Sequence, residues 1–241
     1  MFSVIDRNTP AGTSLLPELY PEGYVMVLDK PYGWTSADAV RKIKFSLKKI
    51  YRLNNIKVGH AGTLDPLATG VLLICVGKAT KVSEALQSGR KEYLAEVTFG
   101  ATTPSFDKEH EVDAVYPWEH ITVGKISEAL AGMEGEQMQL PPVYSAKYVD
   151  GTRAYEMARN GEDVPLKAAR INIYGTRIVE YVPPVLKVAV QCSKGTYIRA
   201  FARDLGLAVG SGAHLSGLVR TASGEFRIEN ALTIEEFNQK F

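Results

Sequence analysis

Two alternating segments near the C-terminal half constrain the fold more than any other feature of this chain. The segments "RINIYGTRIVEYV" (170–182) and "LKVAVQC" (186–192) alternate apolar and polar residues and are separated by a short link containing Pro183 and Pro184. This spacing and turn chemistry predict an antiparallel hairpin. Residues 91–100, "KEYLAEVTFG", alternate in the same way. Helical segments interrupt the strands irregularly, so the sequence predicts an α+β fold with a mixed, largely antiparallel central sheet and flanking helices.

Helix boundaries are indicated by capping residues. Thr35 or Ser36 is in the right place to cap a helix that follows the first strong strand. Thr233 and Glu236 form the pattern of a capping box near the C-terminus. Gly206 is expected to end the helix in "SKGTYIRAFARDLG". These signals predict helices between and after the strands, with the last helix close to residue 241.

The chain shows no strong internal boundary. Residues 1–22 are interrupted by proline and glycine and are expected to form an irregular N-terminal extension. Residues 23–241 are expected to form a single domain, with an exposed, flexible loop over 101–120. The sequence has no run of eighteen apolar residues and no signal-peptide pattern, so we expect a cytoplasmic protein without a membrane span. The two cysteines, Cys75 and Cys192, lie in apolar surroundings and are expected to be buried thiols.

Charge is segregated along a chain whose formal net charge is only +1. Residues 41–57 contain seven basic residues and no acidic one, whereas residues 107–119 contain five acids and one lysine. A basic face of this kind is typical of a surface that binds a polyanion. The same pattern is more often only the solvated side of an amphipathic helix. The charge pattern alone leaves both interpretations open.

The segment "GHAGTLDPLATG" (59–70) predicts a rigid loop that presents the carboxylate of Asp65. An aspartate before proline is often only a helix cap, with the proline at the first helical position. This loop differs because its three glycines allow another molecule to approach the backbone closely. A carboxylate in such a place can act as a nucleophile or as a general base.

A second cluster of candidate residues lies in "CSKGTYIRAFARDLG" (192–206), where a strand turns into a helix. Arg199 is suited to hold a carboxylate such as Asp65, or a phosphate, through paired hydrogen bonds. Tyr197 offers an aromatic plane or a phenol. A surface arginine and a core tyrosine are the alternative interpretation, and this stretch alone favours that alternative.

Taken together and in order, these segments resemble the TruB family of RNA pseudouridine synthases. The resemblance extends from about Tyr24 to near the C-terminus. It rests on six segments: "LDKPYGWTS" (28–36), "GHAGTLDPLATGVLLICVGKATK" (59–81), "KEY" (91–93), "LPPVYSAKYVDGTRAYEMAR" (140–159), "CSKGTYIRAFARDLG" (192–206) and "GAHLSGLVRT" (212–221). It implies the pseudouridine synthase fold, with a catalytic cleft, and conversion of uridine 55 in the T-arm loop of tRNA to pseudouridine.

The resemblance also implies roles for individual residues. Asp65 would be the essential carboxylate, Tyr93 would stack on the target base, and Arg199 would pair with Asp65. The remaining implied substrate contacts are His60 in the space of the flipped-out nucleotide, Tyr197 and Leu218 in the base pocket, Lys30 and Lys194 as phosphate or pocket contacts, and Arg220 as a phosphate contact. An arginine beside Asp65 would favour its ionised form. Extruding a base from a folded loop requires this kind of aromatic stacking and space filling.

The implied reaction is a redox-neutral isomerisation, so we expect no metal and no organic cofactor. The expected partner is the tRNA T-arm, with no membrane and no protein partner. The chain ends soon after "TIEEFNQKF", so we expect it to lack the C-terminal RNA-binding domain of many relatives. A second hypothesis is an RNA chaperone on the same fold, and only the enzyme requires Asp65.

Overall fold

The computed structural model describes residues 2–145, 147–149 and 151–241. Its strands, in chain order, are β1 (Ser3–Ile5), β2 (Tyr24–Lys30), β3 (Val58–Ala61), β4 (Ala68–Val76), β5 (Lys91–Phe99), β6 (Ala101–Thr102), β7 (Ala114–Val115), β8 (Gly135–Gln139), β9 (Tyr148–Val149), β10 (Thr152–Arg153), β11 (Ala169–Val182), β12 (Val185–Cys192), β13 (Ala213–Ser223) and β14 (Phe226–Arg227). Its α-helices are α1 (Ser36–Tyr51), α2 (Ser83–Gln87), α3 (Val123–Gly132), α4 (Ala154–Arg159), α5 (Ile198–Ala208) and α6 (Ile234–Lys240). Short 3₁₀ helices cover Pro17–Leu19, Gly77–Val82 and Ile228–Asn230.

The chain divides into two compact units. The first consists of the residues up to Tyr93 together with Val219–Phe241, and the second consists of Leu94–Leu218. Among the described residues, no helix is both long enough and apolar enough to cross a bilayer.

The first unit contains a sheet of mixed direction. Strand β1 pairs with β2 in parallel, while β2 and β3 both pair with β4 in antiparallel fashion. Strand β4 is almost entirely buried, which agrees with the uninterrupted apolar run in its sequence. The core includes Cys75 and packs one face of this sheet against apolar residues of the last segment, such as Phe226 and Ala231. Burial of these side chains is the main force that holds the unit together.

The second unit is built on antiparallel pairs. Strand β11 pairs with β12 along the hairpin and with β8 on its other side. In the pairing of β11 with β12, Val182 lies opposite Val185. In the pairing of β11 with β8, Ile171 lies opposite Gln137. The predicted hairpin and the predicted α+β class, with its mixed and largely antiparallel sheet, are therefore confirmed.

Several local predictions are also confirmed. Thr35 caps α1 and Thr233 caps α6, each in a complete capping box. Strand β5 buries every second residue, including Tyr93, as its alternating pattern predicts. Cys75 and Cys192 are both free and buried, and burial raises the pKa of the Cys75 thiol to about 11.

The structure differs from the sequence-based expectations in three places. Gly206 does not end α5, which continues to Ala208; a Cβ on Gly206 would lie 2.6 Å from the backbone nitrogen of Ala213, so the glycine serves close packing. Residues 1–22 contain strand β1, which is too short to show a pattern in the sequence. The prediction of an exposed loop over 101–120 is wrong for its first part, where Asp107 is buried. The central block 140–159 includes Ala146 and Asp150, which lie outside the described residues.

Candidate active site

The loop that carries Asp65 joins two antiparallel strands of the first unit, β3 and β4. His60 lies opposite Ile74 in this pairing, and the chain turns at Gly62, whose φ of +85° favours glycine. The Asp65 carbonyl accepts a hydrogen bond from the Ala68 amide at 3.1 Å. Asp65 is therefore presented by a tight turn between strands and does not cap a helix, which removes the structural alternative for this Asp-Pro pair.

Helix α1 fixes the loop from one side. The Ser36 hydroxyl donates to the carbonyl of Leu64 at 3.1 Å and accepts from its amide at 2.9 Å. The Gly33 amide donates to the carbonyl of Pro66 at 2.9 Å. The main chains of Leu64 and Pro66, the two neighbours of Asp65, are thus hydrogen-bonded to residues at and just before the start of α1. Such bonds limit the positions that the carboxylate between them can take.

Lys30 lies beneath the loop and is fully buried. Its ammonium group donates to the carbonyls of Trp34 at 2.5 Å, Pro31 at 2.9 Å and Pro66 at 3.3 Å. Burial lowers the pKa of Lys30 to about 8, against the opposing effect of the nearby carboxylates of Asp65 and Asp29. The lysine therefore contributes positive charge close to Asp65 and joins the loop to the start of α1.

Arg220 supports the other end of the loop and is 1% exposed. Its guanidinium donates to the carbonyls of Val71 at 2.7 Å, Gly62 at 2.9 Å and Thr63 at 3.3 Å. Gly70 is required beside it, because a Cβ at that position would lie 2.3 Å from the Arg220 carbonyl oxygen. The resemblance implies a phosphate contact for Arg220, whereas its donors here face main-chain carbonyls of the loop and of Val71.

His60 and Tyr93 are the remaining candidate residues of the first unit. His60 is half-buried, and its Nδ1 has no hydrogen-bond partner within the described part of the chain. Burial, with a smaller contribution from the charge of Arg220, lowers the pKa of the imidazole, which favours the neutral ring. Tyr93 lies on the buried face of β5.

The candidate residues of the second unit centre on the start of α5. Gln139 uses both ends of its side chain on Tyr197: it accepts from the Tyr197 amide at 2.9 Å and donates to its carbonyl at 3.1 Å. This fixes the turn that enters α5. Lys194 is exposed in the preceding turn, and Leu218 is half-buried in β13.

Arg199 is buried and has an acidic partner that the sequence does not reveal. Its Nε lies 3.6 Å from an oxygen of Asp107, and its Nη1 donates to the Ser105 carbonyl at 3.3 Å. Both charged side chains are less than 10% exposed. Asp107 is therefore a further candidate functional residue. Its acid-rich surroundings concealed it, because an exposed loop is the ordinary interpretation of such a segment.

The structure thus gathers Lys30, His60, Asp65 and Arg220 around one loop in the first unit. In the second unit it places Tyr197 and Arg199 on one helix turn. Among residues 2–145, 147–149 and 151–241, no three histidine, cysteine or acidic side chains come close enough to hold a metal ion.

Comparisons with known proteins identify relatives over nearly the whole chain. Residues 48–198 match the family model "TruB family pseudouridylate synthase (N terminal domain)", and residues 199–241 match "tRNA pseudouridylate synthase B C-terminal domain". The tRNA pseudouridine synthase B of Phocaeicola vulgatus is 54% identical over 90% of this chain and 93% of its own. The protein of the same name from Parabacteroides distasonis is 51% identical, over 90% of this chain and 92% of its own.

A solved structure gives the same result for the fold. The crystal structure of a Cbf5-Nop10-Gar1 complex contains a chain that is 31% identical, with a TM-score of 0.67. The match covers 98% of this chain and 62% of that one, so the present chain spans about three fifths of that protein's length.

Proposed function

This chain belongs to the TruB family of pseudouridylate synthases, and we propose that it converts uridine 55 in the T-arm loop of tRNA to pseudouridine, with Asp65 as the essential catalytic residue. The chain is an RNA pseudouridine synthase, an isomerase that forms pseudouridine in tRNA. An enzyme with this substrate works where tRNA is found, and we therefore assign it to the cytoplasm. Position 55 and the role of Asp65 are the parts of the proposal that need a test.

The reaction breaks the bond between N1 of uracil and C1′ of ribose. The detached ring then turns and bonds to C1′ through C5, while the C5 proton is released and N1 gains a proton. No atom of water is incorporated and no electron is exchanged. A carboxylate can start this sequence as a nucleophile at C1′ or at C6, or as a base that takes the 2′ proton. All three routes require Asp65 to be ionised and held still.

The observation that carries the proposal is the way in which the Asp65 loop is held. Its backbone is bound by the cations of Lys30 and Arg220, and by the hydroxyl of Ser36. These bonds hold the loop through its main chain, so the backbone on both sides of Asp65 is fixed before substrate binds. Such preorganisation is what a positioned nucleophile or base needs.

The other candidate residues fall into two groups, those with a positioning role and those that keep the role implied by the resemblance. We propose that Lys30 and Arg220 act as positioning residues for the loop and that Asp107 positions Arg199, since each makes its contact to the protein. We keep the roles of base stacking, space filling and substrate contact for Tyr93, His60, Tyr197, Leu218 and Lys194, and the pairing of Arg199 with Asp65, as predictions.

The test uses a tRNA transcript labelled with tritium at C5 of its uridines. We expect the wild-type chain to release one tritium per transcript, and sequencing of the product to locate pseudouridine at position 55. Asp65→Asn should reduce release at least about 10³-fold, because asparagine can be neither nucleophile nor base. Its affinity for the transcript should stay within about threefold of wild type.

A transcript with cytidine at position 55 serves as the matched substrate control. Release from this control, or pseudouridine at another position, would contradict the assignment of position 55. Full release by Asp65→Asn would contradict the catalytic role of Asp65. No release by the folded wild-type chain, with transcript binding retained, would favour the RNA chaperone hypothesis.

A further inference from the structure

A cavity of about 400 Å³ lies in the first unit, away from the Asp65 loop. It lies between the residues that follow α1 and the 3₁₀ helix Gly77–Val82, at the end of β4 opposite that loop. Its lining includes Pro17, Leu53, Ile56, Lys57, Lys78 and Lys81. The volume is in the range of pockets that hold small organic groups.

The cavity combines an apolar lining with a basic rim. Pro17, Leu53 and Ile56 form the aliphatic part of the lining. Pro17 and Leu53 are half-buried, and Ile56 is buried. Three exposed lysines, Lys57, Lys78 and Lys81, line the same space, and one acid, Glu18, accompanies them. This combination suits a group that carries an apolar body and a negative charge.

Two of the three lysines are available to an external anion. Lys78 lies 3.4 Å from Glu22, and both side chains are 60% exposed. Within the described ranges, neither Lys57 nor Lys81 forms an ion pair with an acidic side chain. Lys57 and Lys81 therefore have no such ion pair to break when they contact a ligand. Lys78 would lose only an exposed ion pair, which contributes little to stability.

The cavity is separated from the candidate catalytic carboxylate by the length of a strand. Strand β4 has nine residues, Ala68–Val76, so its two ends lie ~26 Å apart at ~3.3 Å per residue. The basic segment 41–57 leads along α1 and ends at Lys57, in the cavity wall. The positive charge of this segment therefore continues into the cavity.

We propose that this cavity binds a nucleotide of the RNA substrate that is distant from the target uridine. Lys57 and Lys81 contact its phosphate, and the aliphatic surface of Pro17, Leu53 and Ile56 packs against its sugar or base. The inference rests on the proposed function, because it takes RNA as the ligand. Contacts of this kind fix the register of a nucleic acid on a protein without reading its sequence.

The test compares the double variant Lys57→Ala/Lys81→Ala with the wild-type chain. We expect the Kd for a tRNA transcript to rise about tenfold at 100 mM salt. The slope of log Kd against log salt should fall by ~0.7–0.9, the contribution of the one phosphate that the two lysines neutralise. Single-turnover tritium release at saturating transcript should stay within twofold of wild type. A lysine that only stabilised the fold would not change the salt slope.

The double variant Lys125→Ala/Lys167→Ala removes the same charge from two exposed positions of the second unit and serves as the control. We expect it to change the Kd less than threefold. Equal effects of both double variants on Kd and slope would overturn the proposal, because net charge alone would then explain the result. An unchanged Kd in Lys57→Ala/Lys81→Ala would also overturn it.

Uridine 5′-monophosphate provides the test of a free ligand. Binding of this nucleotide to the wild-type chain but not to Lys57→Ala/Lys81→Ala, with unchanged transcript affinity, would assign the cavity to a free nucleotide and overturn the RNA assignment. Failure of the proposed function is recognised separately. In that case the wild-type chain binds the transcript without releasing tritium, whereas failure of the cavity proposal leaves tritium release intact.

Discussion

Two turn-rich segments hold candidate functional residues in this protein, and they are held by different means. The loop 62–67 in the first unit is fixed by Lys30 and Arg220, two buried cations that donate to main-chain carbonyls. The segment 103–110 in the second unit also receives hydrogen bonds at its backbone, from Arg199 to the Ser105 carbonyl and from the Leu215 amide to the Phe106 carbonyl, and several contacts between side chains are added to these. The side-chain contacts are Asp107 with Arg199, Phe106 beneath the guanidinium of Arg203 at 4.9 Å, Glu109 with Arg159 and the ring of His110 against that of Tyr144 at 4.3 Å.

The difference determines which residues each segment depends on. Every residue supplies a carbonyl, so a loop held through its carbonyls does not depend on its own side chains for its conformation. It depends strongly on the few cations that serve it. A segment that adds side-chain pairs to its backbone hydrogen bonds divides its stability among more contacts, and each pair needs both partners. We therefore expect one large effect in the first unit and graded effects in the second.

Arg220→Met should have the largest effect. It keeps much of the side-chain volume but removes the donors to three carbonyls, and each buried acceptor left unpaired costs ~1–3 kcal/mol. We expect the free energy of unfolding to fall by about 3–5 kcal/mol in urea titrations. The control is Arg227→Met, which removes an arginine that is 50% exposed and paired with Glu92; it should change stability by less than about 1 kcal/mol. Equal effects would mean that burial of Arg220 contributes nothing to the loop.

Asp107→Asn should have the largest effect in the second unit. It leaves the buried charge of Arg199 without the acid that lies 3.6 Å away, and such a loss is strongly destabilising. We expect a decrease of about 3 kcal/mol in the free energy of unfolding, together with slower tritium release. Glu111→Gln removes an exposed acid four residues further along and should cost less than about 0.5 kcal/mol. A neutral result for Asp107→Asn would show that the segment does not depend on this pair.

Lys30 should make stability depend on pH in the alkaline range. Its pKa is about 8 in the folded chain, against an ordinary value of 10.5, and burial is the main cause. A lowered lysine pKa means that the unfolded chain binds more protons between pH 8 and 10.5, so this contribution to stability rises with pH in that interval. The destabilisation caused by Lys30→Met should therefore be about 2 kcal/mol larger at pH 10 than at pH 7. Unfolding titrations of both proteins at the two pH values measure the difference, and a constant gap would contradict the lowered pKa.

The sequence predicts those parts of the structure that depend on neighbouring residues, and misses those that depend on residues far apart in the chain. The Asp65 loop, the cap at Thr35 and the hairpin of β11 and β12 depend on local signals: turn residues, a capping side chain and an alternating pattern. Asp107 could not be identified, because its partner Arg199 lies 92 residues away and no local pattern marks a buried acid. The carbonyl contacts of Arg220 were missed for the same reason. An isolated arginine predicts an anion partner, and the oxygens of a distant main chain leave no trace in the sequence.

The smallest effect is expected for the exposed pair of Glu109 and Arg159. Their side chains are 38% and 63% exposed and lie 3.2 Å apart, a geometry for which measured pairs contribute ~0.2–1 kcal/mol. A double-mutant cycle of Glu109→Gln and Arg159→Gln isolates this pair from the other contacts of Arg159. We expect a coupling energy below about 1 kcal/mol, and less at 1 M salt because exposed charges are screened. A coupling above about 2 kcal/mol would remove the contrast between the two segments. One exposed side-chain pair would then hold the segment 103–110 as firmly as a buried cation holds the loop 62–67.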